Sequence, residues 1–368
     1  MTRKFLKPVK RVVVKIGSSL IANYRLRPSR AQLRSIVEQI HALHEKNIDV
    51  VLVSSGAIVL GMGEMGLSRR PQDVASLQGL AAIGQAVLMR AYSDLFKKHK
   101  MHCGQVLLTW DDFSSRQRYN NARQTLTALL KEGVVPVINE NDTISSEEIK
   151  FGDNDKLSAL VACLVRADLL LILSDVEGLY DTTAPGKKIF EEVRAITREI
   201  EGVASGTTKK HIAKGGMTAK LDAVKIVTQA KIPCVIAGGH TPQVLVRVVS
   251  GERIGTLFLE QEERLLARQH WIAFGAKPKG MIVVDDGAQK ALQRGGKSLL
   301  LPGVVRWQGH FKVGDVVAVV GQDETEFARG RVRYSAVDLA GHVKHGKVED
   351  RRGKKEVIHC NDLVLGRK

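Results

Sequence analysis

The sequence predicts an α/β fold built on a parallel sheet, followed by a small, mostly β module. Three observations lead there. Short β-rich runs alternate with longer helical patterns through the first 240 residues. Those runs are apolar throughout rather than alternating, as expected of strands covered on both faces. Near residue 260 the pattern gives way to short β-like runs separated by Gly and Asp.

Taken in order, Val12 to Ile16 reads as the first strand, and Pro28 to Lys46 as a helix because Ile36, Val37, Ile40 and Leu43 recur at helical spacing. Val50 to Val53 is a strand, Val74 to Lys98 a helix rich in Ala and Leu, and Gln105 to Leu108 a strand. Tyr119 to Lys131 is a helix stopped at Gly133. Val134 to Ile138 is a strand, Leu157 to Val165 a helix, Leu169 to Leu173 a strand, Gly216 to Ala230 a helix, and Cys234 to Ile236 a strand that ends at Gly238 and Gly239. Gln261 to Phe274 suits a connecting helix, and Gly275 to Gly280 a linker-like break. The β-like runs beyond it are Met281 to Val284, Gly303 to Trp307, Val316 to Val320, Ala328 to Tyr334 and Val357 to Cys360.

At 368 residues the chain is too long for one ordinary core, so two domains are expected. No segment approaches the apolar length of a membrane span, and the basic N-terminus lacks the apolar run of a signal peptide. The four cysteines form no CxxC, which argues against a thiolate metal site and for a reducing cytoplasm, with Cys163 and Cys234 as buried thiols. The net charge is +17, of which +7 falls in the 94 residues from Gly275 onward. That excess suits either nucleic acid or anionic small substrates.

The chemistry is concentrated in a few runs. Asn139-Glu140-Asn141-Asp142 and Gly152-Asp153-Asn154-Asp155 set carboxylates and carboxamides at the edge of apolar elements, where a parallel sheet holds its ligands. Such groups can hold an ammonium, orient a lysine, or ligate Mg²⁺ through water; a polar loop is the plain alternative. Lys15-Ile16-Gly17-Ser18-Ser19 follows the first strand, where Gly17 lets backbone amides approach a phosphate and Lys15 adds a point charge, unless it is only a strand end before a turn. Ser54-Ser55-Gly56-Ala57 follows the second strand, as an anion site or an ordinary N-cap. Ser174 and Asp175 close another apolar strand. Lys214-Gly215-Gly216-Met217-Thr218-Ala219-Lys220 is a glycine-rich loop entering a helix, able to lie against a nucleotide or to be solvated. Gly61 to Gly66 matches GxGxxG literally, but does not sit in a strand-to-helix turn and reads better as a flexible loop; no Walker motif occurs. Arg329, Arg331 and Arg333 alternate as along one strand, giving either a phosphate-backbone stripe or a solvated face.

These runs, in this order, resemble the motifs of the glutamate 5-kinase family over essentially the whole chain. The resemblance implies a three-layer αβα amino acid kinase domain with a mostly parallel central sheet over residues 8–260, a linker over 261–277, and a small β-barrel-like PUA domain over 278–357. It implies ATP-dependent phosphorylation of the side-chain carboxylate of L-glutamate to glutamyl 5-phosphate, the first step of proline biosynthesis, with Mg²⁺ accompanying ATP and proline as feedback inhibitor. It further implies a cytoplasmic homo-oligomer, dimer or tetramer, with no membrane contact. Lys15 and Lys220 would neutralise the transferred phosphoryl group, and Asp155 would position both lysines. Ser55, Gly56, Ala57, Asn139, Asp142 and Asn154 would hold glutamate. Lys15, Gly17, Ser18, Ser174, Asp175 and the loop Lys214, Gly215, Gly216, Met217, Thr218, Ala219, Lys220 would line ATP. Ser174, Lys214 and Ala219 depart from the threonines usual in the family. The alternatives are RNA binding through the PUA domain and a related kinase of another carboxylate.

Overall fold

The computed structural model describes residues 3, 8–145, 154–181, 188–206, 216–260, 269, 271–276, 278–341, 343–344, 347–348 and 356–366. The chain divides into two compact units, Met1–Asp112 with Gln117–Arg264, and Phe113–Arg116 with Leu265–Lys368.

The first unit opens with β1 (Arg11–Ile16), a short α1 (Ser18–Ile21), α2 (Arg30–His44), β2 (Asp49–Ser54), α3 (Ala57–Glu64) and α4 (Val74–Lys98). Next come β3 (Cys103–Leu108), α5 (Trp110–Ser114, whose last two residues belong to the second unit), α6 (Arg116–Lys131, in this unit from Gln117), β4 (Val135–Glu140), α7 (Asp155–Leu164) and β5 (Leu169–Ser174). It ends with β6 (Glu192–Val193), α8 (Arg198–Gly206), α9 (Gly216–Gln229), β7 (Cys234–Gly238), α10 (Val244–Val249) and β8 (Thr256–Phe258). The strands form one sheet in the order β3-β4-β2-β1-β5-β7-β8-β6. All neighbours are parallel except β7 and β8, where Val235 faces Leu257 in antiparallel register. The mostly parallel sheet expected from the uniformly apolar runs is present, with a reversed pair added at one edge.

Helices cover both faces. Val12, Val14 and Ile16 of β1, with Leu52, Leu171 and Leu173, pack on Leu33, Ile36, Val37, Ile40 and Leu43 of α2 and on Leu88, Tyr92 and Phe96 of α4. Strand side chains alternate between faces, so Lys15 points to the opposite layer, where α7 lies on β1 and β5 and packs against α9. That parity puts a lysine, rather than another valine, over the start of α7.

Contrary to expectation, the GxGxxG stretch is mostly helical, because its glycines serve packing. A Cβ on Gly61 would lie 2.0 Å from the carbonyl oxygen of Leu80, and one on Gly84 only 1.7 Å from that of Ala57. The backbones of α3 and α4 therefore touch where they cross. Helix α4 is capped by Asp73, whose side chain accepts from Ser76 N at 2.8 Å. By length and composition it could cross a membrane, against the expectation that no segment comes close, but it is a core helix with one buried stripe from Leu77 to Phe96. Cys234 is buried and Cys163 only partly so.

The second unit contains β9 (Gly280–Val284), α11 (Asp286–Gln293), β10 (Leu299–Leu300), β11 (Val304–Gly309), β12 (Val316–Val320), β13 (Glu326–Arg331), α12 (Ala336–Gly341), β14 (Val343–Lys344), β15 (Lys347–Val348), β16 (Glu356–Ile358) and β17 (Leu363–Leu365). Five strands form a sheet in the order β11-β9-β12-β13-β17 around a core that includes Ile282, Val317, Val319, Leu339 and Ile358. Strand β13 ends at Arg331, so Arg333 lies beyond it and the expected three-arginine strand is cut short. The three arginines face carboxylates: Arg329–Glu326 at 2.6 Å, Arg331–Asp362 at 3.5 Å and Arg333–Glu356 at 2.9 Å.

Gly84→Ala forces the α3–α4 backbones apart and should cost about 1–3 kcal/mol or more. Gly79→Ala, on the same helix with open space at its Cβ, should gain up to about 1 kcal/mol from helix propensity. Urea denaturation midpoints of the two variants check this; equal shifts would contradict the close crossing.

Candidate active site

The four strands at the middle of the sheet end in polar residues on a common rim, because they are parallel and share register. Lys15 of β1 lies opposite Val53, one residue before Ser54 of β2, and opposite Ile172, two residues before Ser174 of β5. Asn139 stands one residue beyond Ile138, the partner of Val53. Across the sheet the order is therefore Asn139, Ser54–Ser55, Lys15, Ser174. With adjacent strands about 4.8 Å apart, Asn139 and Ser174 are separated by three spacings, about 14 Å, with Lys15 between them.

The centre of this rim is ionic. Asp155, the first residue of α7, is 0% exposed. Its Oδ1 lies 2.7 Å from Lys15 Nζ and its Oδ2 3.2 Å from Lys220 Nζ. Both lysines are buried, and Lys220 Nζ also donates to Gly216 O at 3.1 Å. Burying three charges is tolerable because they pair and because a carboxylate is favoured in the first turn of a helix. One carboxylate and two ammoniums leave a net charge of one positive unit, suited to an anion that arrives between the lysines.

One flank is built from amides. Asn154 sits at the N-cap of α7 but makes no capping bond. Its Nδ2 instead reaches Ser54 O at 3.0 Å, Ser55 Oγ at 3.1 Å and Asn139 Oδ1 at 2.7 Å. Asn139 Nδ2 donates to Gln85 Oε1 at 2.9 Å, and Gln85 Nε2 to Gln105 Oε1 at 3.1 Å. Gly56, at φ 101°, opens α3 without a side-chain cap and leads into Ala57; a Cβ there would meet Ile21 Cγ2 at 3.0 Å. Asp142 lies just past β4, and burial pushes its carboxyl up to about 6, with Arg70 pulling the other way.

On the other flank Ser174 Oγ donates to Asp175 Oδ1 at 2.9 Å. Gly216, Met217, Thr218 and Ala219 form the first turn of α9, one turn before Lys220. The N–H of Gly17 donates to Leu173 O at 3.3 Å, and Ser18 begins the following turn. Lys214 and Gly215, with Gly152 and Asp153, lie outside the described residues.

The rim thus gathers Lys15, Asp155 and Lys220, the set Ser55, Asn139 and Asn154, and the pair Ser174 and Asp175. Sequence reasoning missed Gln85 and Gln105, and the Tyr92 hydroxyl 3.2 Å from Ser54 Oγ. The available signal was a lone amide, Gln85, on the buried stripe of α4.

The amino acid kinase family model matches residues 10–238, and the PUA domain model residues 280–353. A glutamate 5-kinase of Geobacter sulfurreducens is 43% identical over 99% of this chain and 100% of its own length. That of Pelobacter propionicus is 45% identical over the same shares, and that of Caldanaerobacter subterraneus is 44% identical over 96% of this chain and 97% of its own. On this end-to-end similarity and on the matched models, the chain belongs to the glutamate 5-kinase family of amino acid kinases.

Proposed function

We propose that this kinase transfers the γ-phosphoryl group of ATP to the side-chain carboxylate of L-glutamate, giving L-glutamyl 5-phosphate for proline biosynthesis. The observation that carries this reading is the buried Asp155 clasping Lys15 and Lys220 between two unlike flanks. Two anions must meet there, and a pair of lysines on one carboxylate supplies the charge that lets them approach. The glutamate carboxylate is already a nucleophile and needs no general base. Its oxygen forms the new bond to phosphorus as the bond to the bridging oxygen of ADP breaks.

Glutamate occupies the amide flank, held by Ser55, Gly56, Ala57, Asn139, Asp142 and Asn154, with Asp142 opposite its ammonium. ATP occupies the other flank, along Gly17, Ser18, Ser174, Asp175, Gly216, Met217, Thr218 and Ala219, with Lys214 and Gly215 completing the loop. Lys15 and Lys220 touch the transferred group; Asp155 positions them. Among the described residues no three His, Cys, Asp or Glu side chains cluster as metal ligands. Mg²⁺ would accompany ATP and neutralise charge on its phosphates.

We divide the chain into a catalytic domain at 8–260, a linker at 261–277 and a PUA domain at 278–357, and place it in the cytoplasm as a homo-oligomer inhibited by proline. RNA binding through the PUA domain draws less support, because Arg329, Arg331 and Arg333 are each paired with a carboxylate.

Incubation with ATP, Mg²⁺ and L-glutamate, with hydroxylamine trapping the acyl phosphate, should yield the hydroxamate. No product with glutamate, against product with another carboxylate, overturns the substrate assignment. Lys15→Met and Lys220→Met should each lower kcat by about 10²-fold or more while the glutamate KM stays within a few-fold, as for groups that act on the transition state. Asp142 must be ionised to face an ammonium, so kcat/KM for glutamate should fall about tenfold per pH unit below pH 6, where its carboxyl protonates. Asp142→Asn should lower kcat/KM and remove that acid limb; a limb that survives the substitution assigns it to another group.

A further inference from the structure

The amides beside Asn154 are bonded head to tail, and the polarity of the row is fixed at Asn139 and Asn154 by backbone groups that cannot flip. The backbone N–H of Glu140 donates to Asn139 Oδ1 at 2.9 Å, which identifies that atom as the oxygen. Asn139 Nδ2 then faces Gln85 Oε1 at 2.9 Å, and Asn154 Nδ2 faces Asn139 Oδ1 at 2.7 Å. At the far end Asn154 Nδ2 also meets Ser54 O at 3.0 Å, and a carbonyl only accepts. The donors of Asn154 are therefore committed to the protein. Its Oδ1 takes no hydrogen bond from the described residues, in a side chain that is 6% exposed. A carbonyl oxygen left in this state, on a mostly buried side chain, favours a donor from a ligand.

We propose that Gln85 is a positioning residue: acting through Asn139, it holds the Asn154 amide with its carbonyl oxygen presented to the amino group of the amino-acid substrate. This rests on the reading that Asn154 lines the glutamate pocket. Gln85 comes from α4, is 8% exposed and, among the described residues, hydrogen-bonds the rim through Asn139. Its Oε1 accepts from Asn139 Nδ2, which would otherwise turn toward Asn154 or substrate. Gln105, exposed on β3, orients Gln85 in turn by accepting from its Nε2 at 3.1 Å. Without the Gln85 oxygen, Asn139 Nδ2 has no acceptor and the Asn139 side chain can turn away from Asn154. Asn154 then loses the bond that sets its plane, and the pocket loses its discrimination between an amino group and a hydrogen-bond acceptor at that position.

Steady-state kinetics of the full-length chain test this, with Gln85→Met and Gln85→Glu compared with wild type and glutamate and ATP varied separately. Gln85→Met removes the acceptor at similar volume. It should raise the glutamate KM about tenfold, the effect of one buried hydrogen bond, with the ATP KM unchanged and kcat reduced less than the glutamate KM rises. Burial raises the pKa of the carboxyl introduced by Gln85→Glu, and its neutral form both accepts from Asn139 and donates to Gln105, so this variant should restore the glutamate KM. An unchanged glutamate KM in Gln85→Met overturns the proposal. So does an equal rise in the ATP KM, which is general loosening, or a Gln85→Glu variant as impaired as Gln85→Met. If Gln85→Met does not fold, as judged by its thermal transition, Gln105→Leu at the exposed end decides: a glutamate-specific KM rise of about threefold, from a weaker orienting bond, supports the relay, and no change overturns it. Failure of the wild type to phosphorylate glutamate would remove the functional reading itself, and the wild-type arm reports that separately.

Discussion

Two lysines that repel each other are held within reach of one another by a single buried carboxylate, and the rest of the site is arranged around that contact. Asp155 is fully buried and meets Lys15 and Lys220 with one oxygen each. Removing one partner of a buried ionic set costs about 3–5 kcal/mol because the remaining charge is stranded. The clasp therefore fixes three elements at once: the end of β1, the start of α7 and the first turns of α9. It also carries a net charge of one positive unit, so the contact that ties these elements together and the field offered to an anion come from the same three side chains.

The two flanks solve different problems with different chemistry. Beside the clasp, Asn154, Asn139 and Gln85 are neutral amides, and their bonds set shape and direction without altering the local charge. Additional carboxylates in that position would compete with Asp155 for the lysines. Opposite, Ser174 and Asp175 and the glycine-led start of α9 offer small groups close to backbone, which suits a nucleotide that brings its own negative charge. The strand order keeps the flanks apart and Lys15 between them.

Much of this was legible in the chain. Uniformly apolar runs such as Val12–Ile16 and Leu169–Leu173 signalled covered strands, and polar residues at their carboxyl ends marked the rim. Other features depend on packing that a linear pattern does not carry. Gly61 and Gly84 are glycines because two helix backbones touch there, so a loop-like motif is mostly a helix. The amide of Gly17 bonds the neighbouring strand, a contact that the local run of residues does not show. The reversal at β8 rests on a strand of three residues, too short to show a period. Gln85 carries no sequence signal beyond one polar residue on a buried stripe, because its significance lies in Asn139, 54 positions away.

Strand β1 occupies the middle of the sheet, paired on one side with β2 and on the other with β5, which begins at Leu169. Strand β1 must therefore wait for more than half the kinase domain to be synthesised before both its edges are covered. Lys15 waits longer still, since Asp155 and then Lys220 follow it in synthesis. A nascent chain that stops short of α9 holds Asp155 with one lysine instead of two, and a sheet whose centre is only partly sheathed. Contacts of such long sequence separation slow folding, since loop closure precedes any reward. Completion of the Asp155 clasp is thus a late event in synthesis, and a chain that ends before α9 lacks its second lysine.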